Sequence, residues 1–344
     1  MNEPAGRGPA PLPSGAVARV DVGIPTHGRP RYVREAIESV LAQELEDWRL
    51  TISEDGEGSG VVAAAVAPYL SDPRITYVAT GGHVGAAANM SGLIQRGEAP
   101  FVALLHDDDR WEPTFLARRV DFLEEHPDCG LVCSSGKVID ETGAVMRDIP
   151  VKMPVPMMAP AAFAPAMLRR NLVPTPTVLV RRAAYESVGA AFDGRFARIY
   201  DYEMWLRIGT RYAVASIPDQ DASWRSHGEQ STVRGRKRGE ELLAFLDHAE
   251  ALIGRELPEV RLDGGARRYV RGRRLLSAGL DAVERERPRE ALGLFRQAVR
   301  MHPPLLANTR LVAALAGLAA GARGRRLLGA ARLHARRRNI RVSV

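Results

Sequence analysis

Short apolar runs alternate with amphipathic stretches along the first 110 positions of this 344-residue chain. The runs VARVDVGIP (17–25), WRLTISEDG (48–56), RITYVA (74–79) and PFVALLHDDD (100–109) predict strands. The stretches 30–43, 61–70 and 86–97 predict helices, the first with Pro30 near its start. This alternation predicts an α/β domain with a mostly parallel central sheet.

Polar residues follow three of these strands at the point where each strand ends. They are Pro25, Thr26 and His27 after the first strand, Glu54 and Asp55 after the second, and residues 106–109 after the fourth. Ligands of open α/β sheets bind at the carboxyl edge of the strands. The pattern therefore predicts a binding site that these three segments share.

The triplet Asp107, Asp108 and Asp109 has two interpretations. It could be a solvated acidic turn in which Asp109 or a neighbour caps a helix that starts near Pro113. Alternatively, it binds a hard divalent cation, since Mg²⁺ and Mn²⁺ prefer carboxylate oxygens and are often shared with substrate phosphates. The position of the triplet at an acidic strand edge favours the cation site.

Composition limits the cellular locations that are compatible with this chain. The two cysteines, Cys129 and Cys133, lie four apart on a predicted strand, too far to bridge, which favours a reducing, cytoplasmic location. No segment reaches the roughly 18 apolar residues that span a bilayer. The Pro- and Gly-rich residues 1–16 predict a disordered leader without the apolar core of a signal peptide.

Charge is divided unevenly along the chain. Residues 1–264 carry 29 Lys and Arg against 37 Asp and Glu, whereas residues 265–344 carry 19 against 4. The net charge of +7 therefore comes from the C-terminal region.

Two long segments carry a resemblance to a known family. VDVGIPTHGRPRYVREAIESVLAQELEDWRLTISEDGEGSG and VALLHDDDRWEPTFLARRVDFLEEHPDCGLVCS resemble the family 2 glycosyltransferases, and the resemblance extends over about residues 20–233. It implies the GT-A fold, in which an α/β sheet binds a nucleotide sugar and an Asp-x-Asp motif binds a metal. The expected domain is 17–235.

The resemblance also assigns roles at this sheet edge. Asp55 would hydrogen-bond the nucleotide base, Asp108 would be the metal ligand, and Asp109 would be a second carboxylate or a capping residue. His106 replaces the first Asp of the motif, where a neutral imidazole could still bind Mn²⁺ or contact the ribose, and Gly28 stands where Asn is common. The residues expected to bind the nucleotide are Pro25, Thr26, His27, Asp55, His106 and Asp107.

Two later motifs complete the expected site. In RIYDYEMWLRIG, Asp201 matches the catalytic base, Tyr200 replaces the usual Glu, and Glu203 is the reserve candidate for the base. In SWRSHGEQST, His227 matches a residue that approaches the metal or the diphosphate, so the expected metal ligands are Asp108, Asp109 and His227.

The implied reaction is inverting transfer of a hexosyl or related sugar from a nucleotide-diphosphate sugar, with Mn²⁺ or Mg²⁺ as cofactor. The acceptor hydroxyl would belong to a glycan, a lipid-linked or a small molecule, such as a precursor of cell envelope polysaccharide. The alternatives are a sugar nucleotidyltransferase, although IPTHGRP is too short for a triphosphate loop, or a non-enzymatic helical adaptor with a nucleic-acid-binding tail.

The C-terminal region predicts helices. After a connector (236–264), residues 265–305 resemble one tetratricopeptide repeat through Gly279, Ala291, Phe295, Ala298 and Pro303. Residues 306–344 form a basic, amphipathic tail with eight arginines in 323–341 and leucines at 327, 328 and 333. We expect peripheral contact with an anionic membrane at its inner face, and nucleic acid as the less favoured partner.

The Met- and Pro-rich residues 151–192 leave two interpretations open, a flexible acceptor pocket or ordinary loop packing. The tryptophans at 111, 205 and 224 are expected in the core.

Overall fold

The computed structural model describes residues 17–58, 60–227 and 238–320. The predicted leader (1–16) and the arginines and leucines of the tail beyond residue 320 lie outside the described residues. The chain divides into two compact units. The first unit contains the described residues up to Phe163 and Leu172–Ser226, and the second contains Ala164–Asn171 and the described residues from His227 onward.

The first unit contains twelve strands among its described residues. They are β1 Val20–Thr26, β2 Trp48–Glu54, β3 Ile75–Ala79, β4 Phe101–Leu104, β5 Arg110–Trp111, β6 Cys129–Ser134, β7 Gly136–Ile139, β8 Val145–Ile149, β9 Met157–Met158, β10 Leu179–Arg181, β11 Ala213–Ile217 and β12 Ala222–Arg225. Its helices are α1 Pro30–Leu41, α2 Gly60–Val66, α3 Ala86–Arg96, α4 Phe115–Glu125, α5 Pro160–Arg169 (whose end belongs to the second unit), α6 Arg182–Ser187 and α7 Tyr200–Gly209.

Eight strands form the central sheet in the order β3-β2-β1-β4-β10-β6-β11-β9. The four N-terminal strands are parallel, and β11 is parallel to β6, while β10 runs antiparallel to both of its neighbours. A second sheet has the order β5-β12-β7-β8. The predicted α/β fold with a mostly parallel central sheet is confirmed.

The apolar pattern explains why these elements form. In α1, Pro30 occupies the first turn, where its missing N–H costs no hydrogen bond, and Val33, Ile37 and Val40 are buried at helical spacing. In β1, Val20, Val22 and Ile24 are buried in the same core cluster. The four strands and three helices predicted for residues 17–109 are all present.

Two of the three tryptophans expected in the core are buried. They are Trp111 and Trp205, whereas Trp224 is half-buried. Cys129 and Cys133 are buried free thiols, and burial raises the pKa of Cys129 to about 11 and that of Cys133 to about 12. Residues 151–192 form β9, α5, β10 and α6, of which Met158 and Met167 are buried, whereas Met157 is exposed.

The second unit is helical over its described residues. Its helices are α8 Arg238–Glu256, α9 Gly264–Glu284, α10 Pro288–Met301 and α11 Thr309–Ala319, together with the end of α5. Gly279 of α9 lies against Phe295 of α10, where an added Cβ would stand 2.5 Å from the ring. The helices α9 and α10 therefore form a closely packed hairpin at the segment that resembles a tetratricopeptide repeat.

Within the described residues, no helix is long and apolar enough to cross a membrane.

Candidate active site

The parallel pairing of β2, β1 and β4 brings the three predicted segments to one edge of the sheet. Thr26 is opposite Glu54, and Gly23 is opposite Leu104, so the chain leaves all three strands on the same side. The N–H of Asp55 donates to the carbonyl of Thr26 at 2.9 Å.

The acidic triplet is buried, not solvated. Asp107, Asp108 and Asp109 are 3%, 6% and 1% exposed. Helix α4 begins at Phe115 after Thr114, without a side-chain cap. The interpretation of the triplet as a solvated, helix-capping turn is therefore wrong.

Asp107 is held by the segment that follows β1. Its carboxylate accepts hydrogen bonds from Oγ1 of Thr26 at 2.8 Å, from the N–H of His27 at 3.4 Å and from Arg29 at 2.8 Å. Burial, with the negative charge of Asp108, raises the pKa of Asp107, while Arg29 and Thr26 oppose this shift. Asp107 thus holds the β1 loop (residues 27–29, between β1 and α1) beside the rest of the triplet.

The two carboxylate oxygens of Asp109 differ in their hydrogen bonding. Its Oδ1 accepts the N–H of Arg225 at 2.9 Å, whereas Oδ2 is buried and has no hydrogen-bond partner among the described residues. Burial and the charge of Asp108 raise the pKa of Asp109 well above its usual range. A buried anionic oxygen without a donor is costly, and a bound cation would remove that cost.

Two other potential ligands for a cation lie beside Asp109. Ligand atoms of His106, Asp108 and Asp109 lie within 4.8 Å of one another, and Nδ1 of His106 is 3.8 Å from Oδ2 of Asp109. Carboxylate oxygens and one imidazole suit Mn²⁺ or Mg²⁺. The residues present therefore fit the predicted cation, with His106 as a ligand candidate that the sequence placed on the nucleotide side.

Two arginines at the triplet were missed by the sequence analysis. Arg29 bridges Asp107 and Asp108, with 3.0 Å to Oδ2 of Asp108. Arg225 is fully buried, donates through Nε to the carbonyl of Asp108 at 2.9 Å, pairs with Glu35, and lies over the ring of Tyr32. Arg225 belongs to the segment SWRSHGEQST, in which the sequence analysis singled out His227. An arginine at this position does not reveal in the sequence that it contacts Asp108, Glu35 and Tyr32.

Asp55 lies at the end of β2 under a histidine-containing loop. Its carboxylate accepts the N–H of Val84 at 2.7 Å and of Gly85 at 3.1 Å, and it lies 2.9 Å from Nδ1 of His83. His27 approaches the carbonyl of Asp55 through Nδ1 at 2.7 Å, and the rings of His27 and His83 are 5.3 Å apart. His83 was also missed by the sequence analysis.

Pro25 is part of β1 opposite Ser53, next to Thr26. These residues and Asp55 border the same sheet edge as the triplet. Their contact with a nucleotide stays a prediction.

Asp201 and His106 line one small cavity. Asp201 is the second residue of α7, and its carboxylate accepts Oγ1 of Thr175 and the N–H of Tyr202, the latter at 2.7 Å. The cavity walls also include Tyr200 and Trp205. Burial, with the negative charges of Asp201 and Asp108, raises the pKa of Tyr200. Asp201 is therefore brought to the vicinity of the acidic triplet.

Glu203 points elsewhere. It is fully buried and pairs with Arg207 at 2.8 Å, and Arg207 also donates to the carbonyls of Val188 and Ala191. This pairing makes Glu203 part of the core, while Asp201 faces the cavity.

His227 is buried and belongs to the second unit. Its predicted contact with a metal or a diphosphate stays a prediction.

The sequence and the fold are similar to those of known proteins. Residues 21–186 match the sequence profile of the family described as Glycosyl transferase family 2. EpsE of Bacillus subtilis strain 168 is named as a glycosyltransferase. It is 27% identical to this chain over 197 residues, which are 56% of this chain and 67% of EpsE. WcaA of Escherichia coli K12, named for colanic acid biosynthesis, is 31% identical over 98 residues, which are 28% of this chain and 35% of WcaA.

Other curated relatives are matched over only part of their length. The uncharacterized Mycobacterium tuberculosis protein Rv1520 is 25% identical over 59% of this chain, which spans 57% of that protein.

Solved structures share the fold. S. aureus TarS 1–349, crystallised with UDP-GlcNAc, superposes with a TM-score of 0.62 at 15% identity, covering 87% of both chains. The mannosyltransferase PcManGT of Pyrobaculum calidifontis, with GDP-Man and Mn²⁺, gives a TM-score of 0.53 at 16% identity, covering 88% of this chain and 87% of that one.

Proposed function

Residues 21–186 form a family 2 glycosyltransferase domain with the GT-A fold, and from this premise we propose that the protein is an inverting, cation-dependent glycosyltransferase. It takes a sugar from a nucleotide-diphosphate sugar and transfers it to an acceptor hydroxyl. The observation that carries this proposal is the buried, unpartnered Oδ2 of Asp109 beside Asp108 and His106, in a fold whose relatives are crystallised with UDP-GlcNAc or with GDP-Man and Mn²⁺.

In this proposal, Asp108, Asp109 and His106 hold the cation, and His227 remains a candidate ligand. The cation, when bound, neutralises the negative charge that builds on the departing diphosphate. Asp107 and Arg29 fix the β1 loop, so that Pro25, Thr26 and His27 border the nucleotide together with Asp55.

Asp201 is the proposed general base. The acceptor oxygen attacks the anomeric carbon as the bond to the diphosphate oxygen breaks, and the hydroxyl proton passes to Asp201. Attack opposite the leaving group inverts the anomeric centre. Thr175 and the N–H of Tyr202 orient the carboxylate toward the cavity that it shares with His106.

The acceptor is proposed to be a glycan or a lipid-linked or small molecule of envelope polysaccharide synthesis, in line with the name of WcaA, which refers to colanic acid biosynthesis. We place the reaction in a reducing, cytoplasmic compartment because both cysteines are unpaired. Attachment to the inner face of an anionic membrane through the basic tail is part of this proposal and rests on the sequence alone.

A panel of nucleotide sugars, with Mn²⁺ or with a chelator, tests the function. Release of nucleoside diphosphate is measured together with the thermal shift of the native protein. Cation-dependent release of nucleoside diphosphate is expected, and Asp108→Ala should abolish it, whereas the exposed Asp148→Asn should not change it. Release of inorganic pyrophosphate from a nucleoside triphosphate and a sugar 1-phosphate, supplied in place of the nucleotide sugar, would instead identify a sugar nucleotidyltransferase. Absence of any donor binding would favour the adaptor.

A further inference from the structure

The second unit contains a cavity of about 480 Å³ with four arginines in its wall. Arg273 and Arg274 come from α9, Arg310 from α11 and Arg169 from the end of α5. Among the described residues, no carboxylate lines this cavity. Four arginines in the wall of one cavity, without a described acid beside them, create a positive potential that favours an anion.

The arginines of this cavity differ from Arg267 and Arg271, which also lie on α9. Arg267 pairs with Glu250, and Arg271 pairs with Asp247 at 2.7 Å, so both are neutralised by carboxylates of α8. In the described part of the chain, by contrast, Arg169, Arg273 and Arg310 form no ion pair. These three arginines therefore bring positive charge to the cavity that no carboxylate among the described residues pairs with.

The wall also has an apolar side. Tyr269, Leu276 and Leu280 lie on the same stripe of α9 as Arg273, at helical spacing. Arg273 lies over the ring of Tyr269, 5.9 Å from its centroid. An anion bound here would have planar guanidinium donors and apolar surface within the same cavity. This combination suits an anionic group that carries an organic substituent.

We propose that this cavity is a binding site for an organic diphosphate. Several guanidinium groups match the several oxygens of a diphosphate, because each fork donates two parallel hydrogen bonds to phosphate oxygens. The cavity is also larger than one phosphate group needs, and the stripe of Tyr269, Leu276 and Leu280 receives the organic part. The same chemistry is present in a nucleoside diphosphate and in a prenyl diphosphate.

Calorimetric titration of inorganic pyrophosphate into the full chain tests the proposal, with a chelator present so that the acidic triplet holds no cation. The variant Arg273→Gln/Arg310→Gln removes two cavity arginines. The matched control Arg267→Gln/Arg271→Gln removes the same charge from arginines that are already paired. Thermal melts of both variants check that the helices remain folded.

The cavity variant should weaken pyrophosphate binding by about tenfold or more, because charge-assisted hydrogen bonds are lost. The control should change it by less than about twofold, since only the screened net charge differs. Equal weakening in both variants, no effect in the cavity variant, or no binding to wild type would overturn the proposal.

Two further probes identify the source of the diphosphate. Geranyl diphosphate and UDP are each titrated into wild type and into the cavity variant. Binding that is tighter than that of pyrophosphate and is lost in the cavity variant assigns the organic part, as lipid in the first case and as nucleoside in the second. If both organic probes bind no more tightly than pyrophosphate, the apolar stripe does not contribute and the organic-diphosphate assignment fails.

Discussion

The buried arginines of the first unit differ from the arginines that line the cavity of the second unit. In the first unit, Arg119 is fully buried and makes a two-pronged pair with Asp221 at 2.7 Å, and Arg225 is fully buried against Glu35 and the acidic triplet. In the second unit, Arg273 and Arg310 are exposed and line a cavity that has no acid among its described residues. Buried arginines with partners organise a site, whereas exposed arginines without partners leave charge available for a ligand.

The two units also differ in the interactions that stabilise each of them. The first unit combines a large apolar core with buried ion pairs that join distant elements. The cluster of the second unit is built of apolar residues, including Ala291, Phe295 and Ala298, and its small residues allow close helix approach. Stability should therefore depend on charge pairing in one unit and on close packing in the other.

The largest effect is expected at Asp201. Asp201→Asn should lower kcat by about 10² to 10⁴, because removal of a positioned base has that cost, while donor and Mn²⁺ affinity stay nearly unchanged. Steady-state turnover and donor titration measure both quantities. Glu203→Gln should have the smaller effect on kcat, since Glu203 pairs with Arg207. Collapse of turnover in Glu203→Gln with normal turnover in Asp201→Asn would transfer the role to Glu203.

Breaking a buried pair of the first unit should have the next largest effect. Arg119→Met leaves Asp221 buried without its partner and should lower the free energy of unfolding by about 3 to 5 kcal/mol. Arg118→Met, one residue away, removes an exposed pair with Asp219 and should cost less than about 1 kcal/mol. Denaturant unfolding measures both. Equal costs would show that buried pairing is not what distinguishes this unit.

A glycine pair in α9 and α10 tests the packing of the second unit. Gly279→Ala would place its Cβ 2.5 Å from Phe295 and should destabilise the hairpin by about 1 to 3 kcal/mol. Gly293→Ala meets no atom within 4 Å among the described residues and should stabilise its helix by up to about 1 kcal/mol. Thermal unfolding should therefore shift in opposite directions, and shifts of the same sign would contradict the close packing at Gly279.

The smallest predicted effect on stability is at Asp109. Asp109→Asn removes a buried carboxylate whose Oδ2 has no donor among the described residues, and should stabilise the cation-free protein by about 1 kcal/mol. The same variant should lose the stabilisation that Mn²⁺ gives to wild type. Thermal melts with Mn²⁺ and with a chelator provide the comparison, and a wild-type-like Mn²⁺ shift in the variant would remove Asp109 from the cation site.

Some residues of the site could be predicted because their signal is local. The strand ends at Thr26, Asp55 and His106 follow from apolar runs that stop at polar residues, and parallel pairing then places them at one edge. Asp201 was predicted from a motif within one helix. Arg29, His83 and Arg225 carry no such signal, because their partners are Asp107, Asp55 and Asp108 in other segments of the chain.

The alternation of strands and helices, the acidic strand edge and the basic C-terminal region can be predicted from the sequence, because each depends on the spacing of residue types along the chain. Other features depend on the folded arrangement. The triplet is buried, and Oδ2 of Asp109 has no hydrogen-bond partner among the described residues. Glu203 pairs with Arg207 whereas Asp201 lines the cavity, and arginines of three helices line one space. Burial and pairing depend on side chains that the fold brings together from distant positions, so the hydrophobic pattern of any one segment does not specify them.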